Sequence, residues 1–123
     1  MRKQYFFRSS DRGLLAWDVD RLILLTASFD RRRVPLTHIR ELDDDWCGEG
    51  ERPTWRAMVA HLQLIDDADL AFPIILASDG AVMDGMHRVA KAVRHGHDDI
   101  VAVQFERDPE PDHVGRSPDD LPY

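Results

Sequence analysis

The chain has 123 residues, 43% of them hydrophobic, and this length suits a single domain with one buried core. Its 16 basic and 23 acidic residues give a formal net charge of −7, which disfavours non-specific DNA binding because that affinity requires many lysines and arginines to displace counterions. The single cysteine, Cys47, excludes an intramolecular disulfide and a zinc site built from several thiolates.

Two features of the chain argue against export and membrane insertion. The most apolar run, "LILLTA" at 22–27, is much shorter than the roughly 20 residues that cross a bilayer. The first residues, "MRKQYFFRSSDRG", lack the long apolar segment of a secretory signal. Together with the cysteine count, these features predict a cytoplasmic protein without a membrane partner.

The first predicted element is a helix from about 18 to 28, because apolar residues recur there at near-helical spacing and Asp18 can cap the first turn. The next segment, "VPL" at 34–36, predicts a short strand with Pro35 at an edge or an end. Thr37 can cap a short helix that runs through Leu42. The segment "DDDWCGEGERP" at 43–53 is typical of a loop because of its glycines and proline.

The clearest predicted helix begins at Thr54 and ends near Ala68. Its apolar residues recur at i, i+3, i+4, i+7 and i+10, which predicts one buried face. These residues are Trp55, Met58, Val59, Leu62 and Ile65. We therefore expect Trp55 to lie in the core. Trp46 adjoins Cys47, which we expect to be an unreactive thiol, and Trp46 either anchors this loop or stacks on a ligand.

The segment "FPIILASDGAVMDG" at 72–85 predicts a β-hairpin, because two apolar runs flank Asp79-Gly80, a pair typical of two-residue turns. A helix follows and ends at Gly96. Its predicted buried face consists of Met86, Val89, Ala90 and Val93. The segment "DIVAVQFE" at 99–106 predicts a strand. The acidic remainder, 108–123, contains several prolines and predicts an extended tail with little regular structure.

These elements predict a small mixed α/β (α+β) domain over residues 1–107, in which helices flank a partly rolled sheet. The last predicted helix raises a question, since it begins on His87 and Arg88, where the positive end of the helix dipole disfavours cations. Asp84 offers a structural answer, because it can cap the helix and pair with Arg88. A bound anion offers another answer, because the backbone N–H groups after Gly85 and the two side chains converge as in phosphate sites.

The remaining basic residues of this helix have a simpler explanation. Lys91, Arg94 and His95 lie in the last turns, where positive charge complements the carbonyl end of the dipole. His95 and His97 lack a nearby third ligand, so the sequence predicts no metal site made of protein side chains alone.

The hairpin, the Gly-x-His-Arg segment, the glycine stop and the closing strand, with "VPLTHIREL" at 34–42, resemble the ParB/sulfiredoxin superfamily. The resemblance covers 34–105 and is closest to small stand-alone bacterial ParB-like nuclease-domain proteins. In that superfamily the corresponding strand, turn and helix hold the phosphates of a nucleoside triphosphate, usually with magnesium. The resemblance implies that Gly85, Met86, His87 and Arg88 bind the phosphates of ATP or CTP.

The implied function is binding of a nucleotide or another phosphorylated small molecule, with or without magnesium-dependent phosphoryl transfer or hydrolysis. One branch of the superfamily resembles small-molecule kinases whose base is an acidic residue near the first conserved strand. That likeness makes Glu41 and Asp43 to Asp45 candidate catalytic residues, and Asp84 could serve the metal or the acceptor hydroxyl. The alternatives are a non-enzymatic module that senses a ligand or binds a protein, and a nuclease or nucleic-acid accessory factor.

Two better-known activities of the superfamily are not expected. Sulfiredoxin has its catalytic cysteine between the glycine and the His-Arg pair, where this chain has Met86. ParB proteins of partition complexes follow the nucleotide domain with a helix-turn-helix, and the sequence after residue 105 has no such pattern. Peroxiredoxin repair and DNA clamping are therefore unexpected. The sequence does not indicate the oligomeric state.

Overall fold

The computed structural model describes residues 3–46 and 52–123. In chain order its helices and strands are β1 (Tyr5–Ser10), β2 (Gly13–Asp18), α1 (Val19–Thr26), β3 (Arg32–Pro35), α2 (Trp55–Asp67), β4 (Ile74–Leu76), β5 (Val82–Asp84), α3 (Met86–Arg94), β6 (Asp99–Gln104) and β7 (His113–Val114). These elements confirm the mixed α+β class, while the ParB/sulfiredoxin-like fold remains a prediction. The prediction for Cys47 concerns a residue outside the described ranges.

The larger sheet forms the centre of the domain, with strand order β3-β6-β4-β5. Strand β6 runs antiparallel to β3 and parallel to β4, and β4 runs antiparallel to β5. The predicted strand at 99–106 and the predicted hairpin are therefore both present. Pro35 is the last residue of the edge strand β3, as predicted, because proline cannot donate a backbone hydrogen bond inside a sheet.

The hairpin turn differs from the predicted two-residue type. The N–H of Ala77 donates to the carbonyl of Ala81 at 2.8 Å, and the N–H of Gly80 donates to the carbonyl of Ala77 at 3.0 Å. These bonds enclose a three-residue loop, 78–80, in which Gly80 has a φ of +90°. Asp79 and Gly80 occur in both kinds of turn, so the dipeptide alone predicted the hairpin but not the loop length.

The first helix agrees with its prediction and the second predicted helix does not. Asp18 caps α1 by accepting a hydrogen bond from the N–H of Asp20 at 2.9 Å. The predicted helix from Thr37 to Leu42 is replaced by two 3-10 turns, which have no side-chain caps. Between them Ile39 adopts an extended backbone and buries its side chain, which interrupts the helix.

Helix α2 has the predicted bounds, since Thr54 caps it by accepting from the N–H of Ala57 at 3.0 Å. Its predicted buried face is wrong. Of the five apolar residues in that pattern only Ile65 is buried, and Trp55 is 86% exposed. The half-buried Ala57 and His61 lie with Ile65 on the face toward the domain, so α2 is turned relative to the prediction.

The hydrophobic core consists of two clusters on opposite faces of the larger sheet. Alternate residues of β4 belong to different clusters, because successive side chains of a strand point to opposite faces. Ile74 packs with Val89 of α3 and Val34 of β3 on one face. Ile75 packs on the other face with Trp17 of β2 and Leu22 of α1. The sheet is therefore covered on both sides, which explains its nearly continuous apolar strands.

The smaller sheet, with strand order β1-β2-β7, was not predicted. Strand β2 buries three consecutive residues, 15–17, so it lacks the alternation that identifies a half-buried strand. Residues 108–123 contain only β7 and one 3-10 turn, yet they pack against this sheet. The indole N–H of Trp17 donates to the carbonyl of Pro109 at 2.8 Å, and Leu121 is 5% exposed. Among the described residues, no helix has the length and apolar character needed to cross a membrane.

Packing of the last residues can be tested at Leu121. We expect Leu121→Ala to lower the free energy of unfolding by about 2 kcal/mol, the low end for buried leucines, because a site near the chain end can partly collapse. Leu24→Ala, at a 77% exposed leucine, is the control and should cost about 0.5 kcal/mol or less. Urea unfolding monitored by circular dichroism measures both, and equal losses would show that residues 108–123 contribute no core packing.

Candidate functional site

A cleft of about 960 Å³ lies between α1, α2 and the start of α3, and strands of the larger sheet form its floor. We call it the central cleft. Its walls include apolar side chains from three elements, among them Ile23, Leu64 and Met86. This volume falls at the upper end of the range for small-molecule sites. The cleft is therefore large enough to hold a small-molecule ligand.

Gly85 connects β5 directly to α3 at the edge of the cleft. It has a φ of +112°, which favours glycine, and it is the N-cap of α3 without a side-chain hydrogen bond to the first turn. A Cβ atom at this position would lie 2.6 Å from Cγ2 of Ile74. Because the first N–H groups of a helix have no intrahelical acceptors, α3 begins with uncapped donors beside the cleft.

Asp84 and Arg88 form an ion pair in the cleft, with 2.8 Å between Oδ2 of Asp84 and Nη2 of Arg88. Nη1 of Arg88 also donates to the carbonyl of Pro73 at 2.7 Å. The predicted pairing is confirmed, but the predicted capping by Asp84 is wrong because its carboxylate faces Arg88 instead. Arg88 was also absent from the predicted buried face, yet its side chain is only 16% exposed.

The buried face of α3 is rotated accordingly. Val89 and Ala92 are its buried residues, whereas Val93 is 47% exposed. The predicted face had Val93 inside and Arg88 outside. An arginine can line a buried face when its charge is paired and its N–H groups have acceptors, as they are here.

His87 lies beside the ring of His61, which the sequence analysis did not connect with it. Its ring centroid is 5.1 Å from that of His61 on α2, and His61 stacks on Trp46 at 4.7 Å. Burial, followed by the charge of His61, holds the pKa of His87 below its usual value, while the nearby Asp84 opposes this shift. His87 is therefore neutral at neutral pH and offers one N–H donor. No spacing in the sequence relates His61 to His87, because packing of α2 on α3 brings them together.

The other proposed catalytic residues lie elsewhere. The Oε2 atom of Glu41 accepts a hydrogen bond from the N–H of Val82 at 2.6 Å, so Glu41 is held against β5. Its Oε1 atom is buried and has no hydrogen-bond partner in the described part of the chain. Asp43 is exposed at the end of a 3-10 turn, as are Asp44 and Asp45 after it. Among the described residues that line the cleft, neither Glu41 nor Asp43 is present.

The structure thus brings together one group of predicted residues, consisting of Asp84, Gly85, Met86, His87 and Arg88. Lys91 and Arg94 lie in the last turn of α3, as predicted, and they also bind the end of α2. Nζ of Lys91 donates to the carbonyls of Asp66 and Ala68 at 2.8 and 2.7 Å, and Arg94 pairs with Asp66 at 2.6 Å. These side chains neutralise the carboxyl end of α2 and attach α3 to it.

Within residues 3–46 and 52–123, no group of three or more histidine, cysteine, aspartate or glutamate residues could hold a metal ion. Comparisons of the chain with protein-family models, with curated proteins and with solved structures found no match. The resemblance to the ParB/sulfiredoxin superfamily therefore remains a prediction from residues 34–105. Function has to be inferred from the geometry of the central cleft.

The close approach of Gly85 to Ile74 leads to a prediction about stability. Gly85→Ala should lower the free energy of unfolding by about 3 kcal/mol, because backbone strain adds to a clash with Ile74. The matched control is Gly96→Ala, where φ is +73° and an added Cβ would meet no atom within 4 Å. Backbone strain alone should cost about 1 kcal/mol there. Denaturant unfolding compares the two, and a smaller loss at Gly85 than at Gly96 would contradict the packing described.

The lowered pKa of His87 predicts that the stability of the protein depends on pH. Because the folded state lowers its pKa, the unfolded chain takes up a proton on His87 more readily than the folded chain does. The stability contributed by the neutral imidazole is present above the usual pKa of 6.5 and is lost as the pH falls through that value and the lowered pKa. Between pH 7.5 and 5.5, the melting temperature of His87→Gln should decrease less than that of wild type. The exposed His95→Gln variant should follow wild type, and identical slopes for all three proteins would refute the assignment.

Proposed function

We propose that the protein binds a phosphorylated small molecule of nucleotide size in the central cleft, with a phosphate at the first turn of α3. One observation supports this more than any other: the first turn of α3 has no side-chain cap and lines a cleft of about 960 Å³. The positive end of a helix dipole and its unpaired N–H groups favour an anion at this position.

The donors around this turn fit a phosphate in different ways. Gly85 has no side chain that would block approach to the backbone, and His87 adds a neutral N–H donor. A guanidinium has five N–H groups, and the bonds of Arg88 to Asp84 and Pro73 use two of them. Because the charges of Asp84 and Arg88 offset each other, the phosphate would be bound mainly by directed hydrogen bonds rather than by excess positive charge.

The rest of the cleft fits the remainder of such a ligand. Its apolar walls, including Ile23, Leu64 and Met86, suit a flat base or another apolar group. The resemblance implied ATP or CTP with magnesium. Magnesium bound with a nucleotide needs only one or two protein carboxylates in addition to the phosphates. Asp67, Asp69 and Asp84 line the cleft and would be the carboxylates available.

Phosphoryl transfer or hydrolysis is a second candidate function, and the carboxylate of Asp84 in the cleft favours it. Asp84 is one of the carboxylates that the sequence analysis named for catalysis. Release of inorganic phosphate from ATP or CTP with magnesium would identify turnover. Saturable nucleotide binding without phosphate release would identify the non-enzymatic ligand-sensing alternative.

The binding proposal is tested by a thermal-shift panel of nucleotides, pyrophosphate and sugar phosphates, with and without magnesium, followed by calorimetric titration of the best ligand. His87→Ala should weaken that ligand by about 1.5 kcal/mol or more, roughly tenfold, as expected for a lost hydrogen bond to a charged group. His95→Ala is the matched control because His95 lies at the opposite end of α3. Its affinity should equal that of wild type.

The Arg88→Ala variant separates a role of Arg88 in ligand binding from its role in stability. The variant should melt at a lower temperature, because Asp84 loses its partner in a half-buried position. If Arg88 also contacts the phosphate, the affinity of the folded protein should fall at least about tenfold when titrated well below the melting temperature. No stabilisation by any phosphorylated compound in the panel would refute the proposed function.

A further inference from the structure

The outer side of α2 carries four large apolar side chains that the domain does not bury. Trp55, Met58, Val59 and Leu62 are 86%, 40%, 65% and 41% exposed. We call these four residues the α2 stripe. They recur at helical spacing over two turns, so they form one continuous band about 10 Å long. On soluble proteins, a contiguous exposed apolar patch of this kind marks a site of interaction with another molecule.

The orientation of α2 explains why the stripe stays uncovered. The helix contacts the domain through the face that contains Ala57, His61 and Ile65. At about 3.6 residues per turn, the centre of the α2 stripe is rotated roughly a third of a turn away from that face. The stripe therefore adjoins the packed face but points past α3. Within residues 3–46 and 52–123, no segment buries these four side chains.

The charges of α2 are placed unfavourably for the helix itself. Arg52 precedes the helix and Arg56 lies in its first turn, whereas Asp66 and Asp67 lie in its last turn. All four residues are exposed. Because a helix dipole is positive at its start and negative at its end, each pair lies at the end where its charge is repelled. Lys91 and Arg94 compensate the acidic end from α3, but within the described residues no ion pair involves Arg52 or Arg56.

We propose that a second copy of this chain covers the α2 stripe, with the two α2 helices packed antiparallel about a two-fold axis. This arrangement places stripe against stripe and each basic end beside the acidic end of the partner helix. The helix dipoles then also run in opposite directions. On each helix the two arginines offset the two aspartates, and Arg94 of α3 adds a positive charge beside Asp66, so the contact carries none of the net charge of −7 on each chain. A parallel arrangement would instead bring the two arginine ends together.

Sedimentation equilibrium over a dilution series tests this proposal directly. Wild type should form a species of twice the 14.2 kDa chain mass. Val59 lies near the middle of the stripe, so a two-fold axis brings Val59→Glu close to its own copy, and like charges at an interface are strongly unfavourable. The dimer dissociation constant should rise at least about tenfold. Ala60→Glu, at an exposed position off the stripe, is the matched control and should leave it unchanged.

A second variant distinguishes a weaker dimer from a misfolded protein. Trp55→Ala removes a side chain that is 86% exposed, so the fold should persist while the dimer weakens at least about tenfold, as for an interface tryptophan. Circular dichroism melting checks the fold of each variant. A monomeric wild type at every concentration would overturn the proposal and assign the stripe to a different protein. Equal effects of Val59→Glu and Ala60→Glu would overturn it as well.

The antiparallel orientation has its own test. Arg52→Glu and Asp67→Arg should each weaken the dimer, because a two-fold axis near Val59 brings residue 52 of one copy beside residue 67 of the other, so that each variant places like charges at both ends of the helix pair. The double variant reverses both members of this intermolecular pair and should recover an affinity close to that of wild type. Recovery supports the antiparallel arrangement, and a double variant as weak as the singles would overturn it. The rescue should also diminish at high salt, because exposed charge pairs are screened.

Discussion

The ion pair between Asp84 and Arg88 determines how the end of β5, the start of α3 and the central cleft are arranged. It spans 2.8 Å in a half-buried position, and Arg88 also binds the carbonyl of Pro73. Because Asp84 is engaged with Arg88, its carboxylate does not cap α3. The same contact that fixes the helix to the sheet therefore leaves the first turn of the helix uncapped. Gly85 between them allows the strand to turn into a helix against Ile74 without a clash.

The placement of α3 in turn sets the orientation of α2. Lys91 and Arg94 bind the carboxyl end of α2, and His61 of α2 lies against His87. Once these contacts are made, Leu64 lines the central cleft while the α2 stripe lies on nearly the opposite side of the same helix. A ligand in the cleft and a second chain on the stripe would use different faces of α2, and they share only Asp67, which lines the cleft and belongs to the acidic end of the helix. The two proposals rest on different observations, so failure of one leaves the other intact.

The sequence by itself determined the features that depend on neighbouring residues. Helix starts at Asp18 and Thr54 follow from local hydrogen bonds between a side chain and the backbone just after it. The stop at Gly96 follows from its left-handed backbone, with a φ of +73°. The hairpin at Asp79-Gly80 and the mixed α+β class are local in the same sense. For the candidate site, proximity along the chain made Asp84 to Arg88 predictable as one group, including the i,i+4 ion pair.

Periodicity predicts an apolar band on a helix, but it does not predict which element packs against that band. Only the tertiary structure therefore decided which faces are buried. The band on α2 is exposed since the contacts through His61 and Ile65 fixed a different face. Arg88 lies inside because Asp84, four residues earlier, and the carbonyl of Pro73, which folding brings near, offset the cost of burying its charge. The pairing of the first residues with residues 108–123 was equally invisible, since Trp17 binds a carbonyl 92 positions away. Contacts between distant segments carry no local pattern, so the extent of the cleft depended on the fold.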